Sequence, residues 1–176
     1  DPSVQRLLIQ SNRDMAALPD ASAVVQRIDR EWRAAVADDS TPAALGELEA
    51  NEVSRLLIHS MAELRTPEGV PIFHELFVTN RFGANAAQTN LTSDYRQDDE
   101  AWWQSAMASG LHVGEIEMDE SAGSLSSAIS LRIEDESGRP LGVLKAVAGV
   151  SGFASVMSRT AASFPSDSPA WLGLLG

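Results

Sequence analysis

The sequence predicts an α+β fold in which long amphipathic helices precede a five-stranded antiparallel sheet. Over the first third of the chain, apolar residues recur at spacings of three and four, the helical period. After Thr66-Pro67-Glu68-Gly69 the pattern changes to short extended runs separated by turn residues. Short connections around Gly83 and Gly138 favour antiparallel neighbours, and we expect the helices on one face of the sheet.

The helical region contains two breaks. Leu18-Pro19-Asp20 interrupts the first run, residues 3–38, because proline removes an internal hydrogen bond and clashes with the preceding turn. This run is therefore two helices or one kinked rod. The second break is Asp38-Asp39-Ser40-Thr41-Pro42. It supplies start signals for the next helix, with Thr41 as its cap and Pro42 at its first position. That helix is predicted over residues 42–64.

The sheet region contains five strand-like runs and one inserted helix. Gly83 and Ser137-Gly138 mark hairpin turns. A helix over 98–109 separates the second run from the third, with Asp98 and Asp99 at its positive end. The runs cover residues 72–79, 85–89, 112–118, 124–133 and 140–147. The chain thus divides into a helical region 1–66, a sheet region 67–150, and a closing helix (151–163) with a frayed tail to residue 176.

Composition excludes several classes of function. The net charge of −12 disfavours nucleic acids and anionic membrane surfaces as partners, and the absence of cysteine excludes disulfides and thiol chemistry. His59, His74 and His112 have no carboxylate at metal-motif spacing. Nucleophile-elbow, phosphate-loop and zinc-protease motifs are absent from the sequence. We therefore predict a non-enzymatic chain without a cofactor.

No apolar run approaches the ~18 residues that a membrane-spanning helix needs, and the first residues lack signal-peptide character. The sequence starts within a helical pattern and without an initiator Met. We expect a fragment of a larger protein whose membrane anchors lie outside it.

The segment 94–104 is the strongest candidate for a binding site. Asp94, Tyr95, Trp102 and Trp103 combine carboxylate, hydroxyl and indole groups around apolar surface, as small-molecule pockets do. The alternative is a structural loop with a capping Asp and buried aromatics. Because adjacent helical residues point ~100° apart, we expect one Trp to anchor the helix and the other to contact a ligand.

A second candidate is the acidic run 115–120. On one strand Glu115, Glu117 and Asp119 project to the same face, where their oxygens would suit a hard divalent cation. A solvated edge strand explains the same alternation without a ligand, since charged edges protect sheets against aggregation.

Several segments, in this order, resemble the Cache domains, PAS-like extracytoplasmic sensor modules of bacterial histidine kinases, chemoreceptors and cyclic-dinucleotide enzymes. The similarity covers residues 51–150. The matching segments are 76–83 (Leu-Phe-Val-Thr-Asn-Arg-Phe-Gly), 90–95 (Asn-Leu-Thr-Ser-Asp-Tyr), 99–103 (Asp-Glu-Ala-Trp-Trp), 119–123 (Asp-Glu-Ser-Ala-Gly), 130–135 (Ser-Leu-Arg-Ile-Glu-Asp) and 138–147.

This resemblance implies a PAS-like five-stranded antiparallel sheet, a long N-terminal helix continuing from a membrane span, and a C-terminal segment that returns to a second span. It places a ligand pocket between the sheet and the inserted loop and helix. Such domains lie outside the cytoplasm, in the periplasm, and pass signals through small displacements of terminal helices. The function it implies is small-molecule sensing, here for a histidine kinase.

Amino-acid-binding members of the family carry a Tyr, an Arg five positions later, a Trp-Tyr pair after one further residue, and a downstream Asp. Tyr95, Trp102 and Asp119 match, and Trp103 replaces the second aromatic residue. Glu100 stands in place of the Arg and would repel a ligand carboxylate. A pocket-facing Glu100, near Asp119 and Asp94, favours a cationic or amine-bearing ligand. Alternatively, Glu100 lies in solvent and stabilises the helix dipole.

Two other functions fit the sequence. One is a ligand-free structural module that forms a homodimer through the helices between Val4 and Met61. The other is a divalent-cation sensor that uses the acidic run 115–120.

Overall fold

The computed structural model describes residues 1–119, 124–150 and Gly152. Its helices are α1 (Pro2–Ala16), α2 (Ala21–Ala37), α3 (Leu45–Ala50), α4 (Glu52–Glu63) and α5 (Ala101–Ser109). Its strands are β1 (Phe73–Asn80), β2 (Asn85–Gln88), β3 (Leu111–Val113), β4 (Glu117–Asp119), β5 (Ser124–Glu134) and β6 (Pro140–Gly149). The predicted α+β class is confirmed. The predicted closing helix and tail fall, apart from Gly152, outside the described residues.

The first helical run is two helices, α1 and α2, separated at Pro19. The side chain of Asp1 caps α1 by accepting a hydrogen bond from the Ser3 amide, and Asp20 caps α2 through the Ala23 amide. Each cap satisfies a backbone donor that would otherwise lack a partner.

The predicted single helix over 42–64 is wrong, because the chain breaks at Asn51. The Asn51 side chain accepts from the Ser54 amide and so begins α4, while its amide group donates to the carbonyl oxygens of Leu48 and Ala86 at 2.7 and 2.9 Å. The predicted cap at Thr41 is also wrong, since α3 begins three residues beyond Pro42 with no side-chain cap.

The sheet is antiparallel, with the order β2-β1-β6-β5-β3, and β4 pairs with β5 on the same edge as β3. The five predicted strand positions are present, but the run predicted over 112–118 is split. Val113 pairs with Ile129 and Glu117 pairs with Ser126, so the edge advances four residues where β5 advances three. One extra residue of this kind is a β-bulge. The predicted hairpin turns are confirmed by positive φ angles of 76° at Gly83 and 78° at Gly138.

Helices cover both faces of the sheet, which corrects the prediction of a one-sided arrangement. Leu76 and Val78 of β1 pack with Leu8 of α1 and with residues of α4. The alternate β1 residues, Phe77 and Thr79, contact α5 on the opposite face. Because neighbouring strand residues point to opposite faces, β1 is buried from both sides.

A second core lies beside the sheet, where α2 packs on α3 and on the loop that follows β2. Its centre is Trp32, which is 1% exposed and packs against Tyr95 with ring centroids 5.8 Å apart. Within the described ranges, no helix is both long enough and apolar enough to cross a membrane.

Candidate functional site

The loop of residues 89–100, which joins β2 to α5, is fixed by hydrogen bonds from two neighbouring elements. The Asn85 side chain of β2 donates to Thr92 Oγ1 at 2.9 Å and to the Asp94 carbonyl oxygen at 3.1 Å. The Trp32 indole of α2 donates to the Thr92 carbonyl oxygen at 2.8 Å. Because these polar groups are buried and paired, the 89–100 loop forms a fixed wall.

A buried carboxylate of α2 holds the next turn of this loop. Asp29 Oδ1 accepts hydrogen bonds from the backbone amides of Tyr95 and Arg96, at 2.9 and 3.0 Å. Asp29 Oδ2 pairs with Arg33 Nε at 2.8 Å, and the same guanidinium reaches Asp94 Oδ2 at 3.2 Å. Helix α2 therefore sets the position of both the loop backbone and the Asp94 side chain.

A cavity of about 440 Å³ lies between the 89–100 loop, the start of α5 and the sheet. Strands β1 and β6 form its floor, and the loop and α5 form its walls. This is the place that the family resemblance implies, and its volume suits a small molecule. Its lining residues are Glu75, Phe77, Leu91, Thr92, Ser93, Asp94, Gln97, Glu100, Trp102 and Lys145.

Three carboxylates line the cavity, those of Glu75, Asp94 and Glu100. Asp94 is tightly held, because Gln97 Nε2 donates to its Oδ1 at 2.6 Å while Arg33 pairs with its Oδ2. Glu100 is the N-cap residue of α5 but makes no side-chain capping bond. Within the described part of the chain, its carboxylate makes no hydrogen bond or salt bridge, and its charge acts on Lys145. It is thus available to a ligand.

The cavity holds one cation of its own, the ammonium of Lys145 on β6. Lys145 Nζ lies 4.4 Å from the centre of the Trp102 ring and 5.5 Å from the centre of the Phe77 ring. The two rings meet edge to face, 5.8 Å apart at 84°. Burial lowers the pKa of Lys145, and the cavity carboxylates oppose this shift.

Of the six predicted site residues, the structure brings Asp94, Glu100 and Trp102 together in the cavity. Tyr95 and Trp103 do not line it. Tyr95 is 7% exposed in the second core, and burial raises its pKa to about 12. Trp103 is 8% exposed and turns toward the sheet, so we leave both residues out of the proposed site.

Asp119, the sixth residue, ends β4, where its Cα pairs with Ser124. On β5, the residue level with the cavity is Ser130, which pairs with Lys145 of β6. Six residues of strand separate these two positions, a distance of about 20 Å. The side chain of Asp119 lies outside the described residues, and its backbone position is remote from the cavity.

The structure describes only part of the predicted cation site, because the side chain of Asp119 and all of Glu120 lie outside the described residues. The chain between β3 and β4 contains Glu115, which lies outside the strand alternation that the prediction assumed. No group of three His, Asp or Glu residues among the described positions is placed to hold a metal ion.

The sequence reasoning missed Lys145, Phe77, Glu75 and Gln97, all of which line the cavity. One signal was present: Lys145 is the only lysine in the chain, where the other 12 of 13 basic residues are Arg. A lone lysine inside the apolar run 141–147 is an unusual strand residue. Gln97 and Glu75 carried no comparable signal, because nothing local distinguishes them from surface residues.

Comparison with protein-family models gave no match, and no curated protein matched the sequence. Several solved structures are similar. One is the ligand-binding domain of the Pseudomonas aeruginosa amino-acid chemoreceptor PctC in complex with GABA. It has 18% identity and a TM-score of 0.41, over 65% of this chain and 63% of that one.

Two similar structures come from histidine kinases. The extracellular domain of the putative kinase rpHK1S-Z16 has 15% identity and a TM-score of 0.43, over 87% of this chain and 63% of that one. The sensor domain of Vibrio cholerae DctB has 16% identity and a TM-score of 0.43, over 86% and 55%. This chain spans less than two thirds of each of these structures.

Proposed function

We propose that this chain is the extracytoplasmic ligand-sensing domain of a membrane-bound bacterial signal-transduction protein, a sensor histidine kinase, and that it binds a small cationic or amine-bearing molecule. The observation that carries the proposal is the chemistry of the cavity between the 89–100 loop, α5 and the sheet. Carboxylates and two aromatic rings surround the position of an ammonium group there.

The balance of charge in the cavity supports this choice of ligand. Three carboxylates line the cavity, those of Glu75, Asp94 and Glu100. With Asp29, the other partner of Arg33, four described carboxylates face two cations, Arg33 and Lys145, which leaves two negative charges in excess. Glu100 is the cavity carboxylate that makes no hydrogen bond or salt bridge among the described residues, and its charge acts on Lys145. A further carboxylate brought by a ligand would be repelled by this excess, whereas a ligand ammonium would reduce it.

The aromatic walls add to the same preference. Phe77 is 2% exposed and Trp102 is half-buried, so both rings are screened from bulk water. A cation over an aromatic face is stabilised by ~0.5–1 kcal/mol at exposed sites and by about 2 kcal/mol when desolvated. The cavity is therefore better suited to a cation than to a neutral or anionic ligand of the same size.

Isothermal titration calorimetry with matched amines, amino acids and carboxylates tests the proposal. We expect amines to bind, and a preference for carboxylates would refute this ligand class. Glu100→Gln should weaken amine binding by roughly tenfold or more, because a charge-assisted contact is lost. The matched control is Glu49→Gln, an exposed carboxylate of α3. If no compound in the panel raises the melting temperature, the result would favour the ligand-free structural module instead.

Transmission of the signal is part of the proposal. The strand that carries Lys145 is tied to α1 by Asn12, whose side chain donates to the Leu141 carbonyl oxygen at 2.8 Å and accepts from the Arg81 amide at 3.0 Å. A shift of β6 on ligand binding would therefore move α1. Breaking the tie with Asn12→Ala should leave ligand affinity nearly unchanged but reduce kinase output in the full-length protein.

Anchoring by membrane spans outside residues 1–176 and a homodimer through the N-terminal helices complete the proposal. The full-length gene product tests the first, through its flanking spans and output domain. Sedimentation equilibrium with and without an amine ligand tests the second, and a strict monomer in both conditions would exclude this dimer for the isolated domain.

A further inference from the structure

We propose that Lys145 is a tethered occupant of the cavity's ammonium position, which a ligand must displace in order to bind. This inference rests on the proposed function and deepens it, because it assigns the state of the site before the ligand arrives. The ammonium of Lys145 lies where a ligand ammonium would make its most favourable contacts with the rings and the carboxylates.

The position of the Lys145 ammonium supports this assignment. It lies within cation–π range of two rings at once, 4.4 Å from Trp102 and 5.5 Å from Phe77. Because these rings stand at 84° to each other, they form a corner, and the ammonium lies in it. The carboxylates of Glu75, Glu100 and Asp94 all act favourably on this charge. A ligand ammonium would need the same rings and the same acids.

Lysine is chemically suited to this role. Its ammonium is a compact charge on a flexible stem, whereas arginine carries a broad planar fork that binds carboxylates in a fixed geometry. The chain uses Arg at its 12 other basic positions and Lys only here. Because Lys145 is half-buried, its stem has a path to solvent when another cation takes the corner.

The tether has a defined consequence for affinity. Before a ligand binds, the positive charge of Lys145 stabilises the carboxylates that face it. The unliganded site therefore needs no other bound cation. A ligand then binds only the fraction of molecules whose corner is free, and its apparent affinity falls by that fraction. If the corner is free in about one molecule in ten, removing the lysine should strengthen binding about tenfold.

Amine acetylation of the unmodified chain tests displacement directly. Lys145 is the only side-chain amine in residues 1–176, and the amine at the N-terminus of the expressed domain serves as the internal reference, so mass spectrometry reads the two separately. Tetramethylammonium serves as the probe because it does not consume the reagent, and tert-butanol, a neutral molecule of similar size and shape, serves as the control. We expect the probe, and not the control, to accelerate acetylation of Lys145 severalfold relative to that N-terminal amine. Unchanged or slower acetylation with the site saturated would overturn the inference.

Calorimetry with tetramethylammonium and methylammonium provides the second measurement. Lys145→Met and Lys145→Gln should each bind the probes about tenfold more tightly than the parent chain, and Lys145→Arg should not. Removing the positive charge of Lys145 also favours cation binding through simple electrostatics. Tighter binding therefore supports displacement only together with faster acetylation. If the parent chain binds the probes but the neutral variants bind no more tightly, the inference fails and the proposed function stands. If neither the parent chain nor the neutral variants bind either probe, both fail.

Discussion

Trp103 Nε1 donates a 2.8 Å hydrogen bond to Thr79 Oγ1 across the interface between α5 and β1. Thr79 is fully buried, and its hydroxyl also donates to the Val143 carbonyl oxygen at 3.4 Å. Trp102, one residue earlier, lines the cavity instead. The adjacent tryptophans therefore divide two tasks, since successive helical residues point about 100° apart: Trp103 anchors α5, and Trp102 forms the cavity wall.

Trp103→Phe should destabilise the fold by about 1–3 kcal/mol, because it shrinks a buried side chain and removes the hydrogen bond to Thr79. Trp102→Phe should change the free energy of unfolding by less than about 1 kcal/mol while weakening amine binding. Urea unfolding and calorimetry measure the two effects. Equal losses of stability in both variants would contradict this division of tasks.

Much of the fold could be predicted because its signals are local. The helical period, the glycines at positive φ and the alternating strand runs each act within a few residues, and they located the sheet and α5. The break at Asn51 has a local part, the cap that its side chain forms with the Ser54 amide, and a tertiary part, the hydrogen bond to Ala86 of β2, which no local pattern reports. The second sheet face was missed because periodicity reports which residues are buried, not which element covers them.

Asp29→Ala should destabilise the protein by about 3 kcal/mol or more, because the backbone amides of Tyr95 and Arg96 would lose a charged acceptor in a buried position. Asp29→Asn is the matched control: it keeps an oxygen for those amides and loses only the pairing with Arg33. We expect its loss to be about half as large. Chemical denaturation measures both, and an Asn variant as unstable as the Ala variant would contradict this account.

Tyr95 makes stability sensitive to alkaline pH. Burial, aided by the charge of Glu47, raises its pKa from 10.0 to about 12. The folded chain thus holds this proton where the unfolded chain releases it. Its contribution to stability is complete below pH 10 and is lost as the pH rises toward about 12. As Tyr95 is the only tyrosine, tyrosinate absorbance reports its ionisation directly.

The control for this pH effect is Tyr95→Phe, which cannot ionise. Its free energy of unfolding should fall less steeply over the same pH range, because the remaining fall comes from other groups. Parallel curves for the two proteins would show that Tyr95 ionises equally readily in the folded and unfolded states, against the burial seen here.

The site was only partly predictable, for a physical reason. Glu100 and Trp102 were found because they lie in one short segment with a recognisable pattern. Lys145 reaches the same cavity from a strand more than 40 residues later along the chain, placed by its pairing with Phe77 of β1. Register between distant strands is set by the whole sheet, so no local pattern reports it.

Two glycines should respond in opposite directions to alanine. A Cβ at Gly142 of β6 would collide with the carbonyl oxygen of Thr79, so Gly142→Ala must part β1 from β6 three residues before Lys145 and should cost about 1–3 kcal/mol or more. At Gly46 in α3 a Cβ meets nothing within 4 Å, so Gly46→Ala should stabilise the protein by ~0.5–1 kcal/mol. Urea unfolding of both variants checks this. Because Lys145 lies three residues beyond Gly142, the Gly142 variant should also bind amines more weakly, and unchanged amine binding would show that the cavity floor tolerates the displacement.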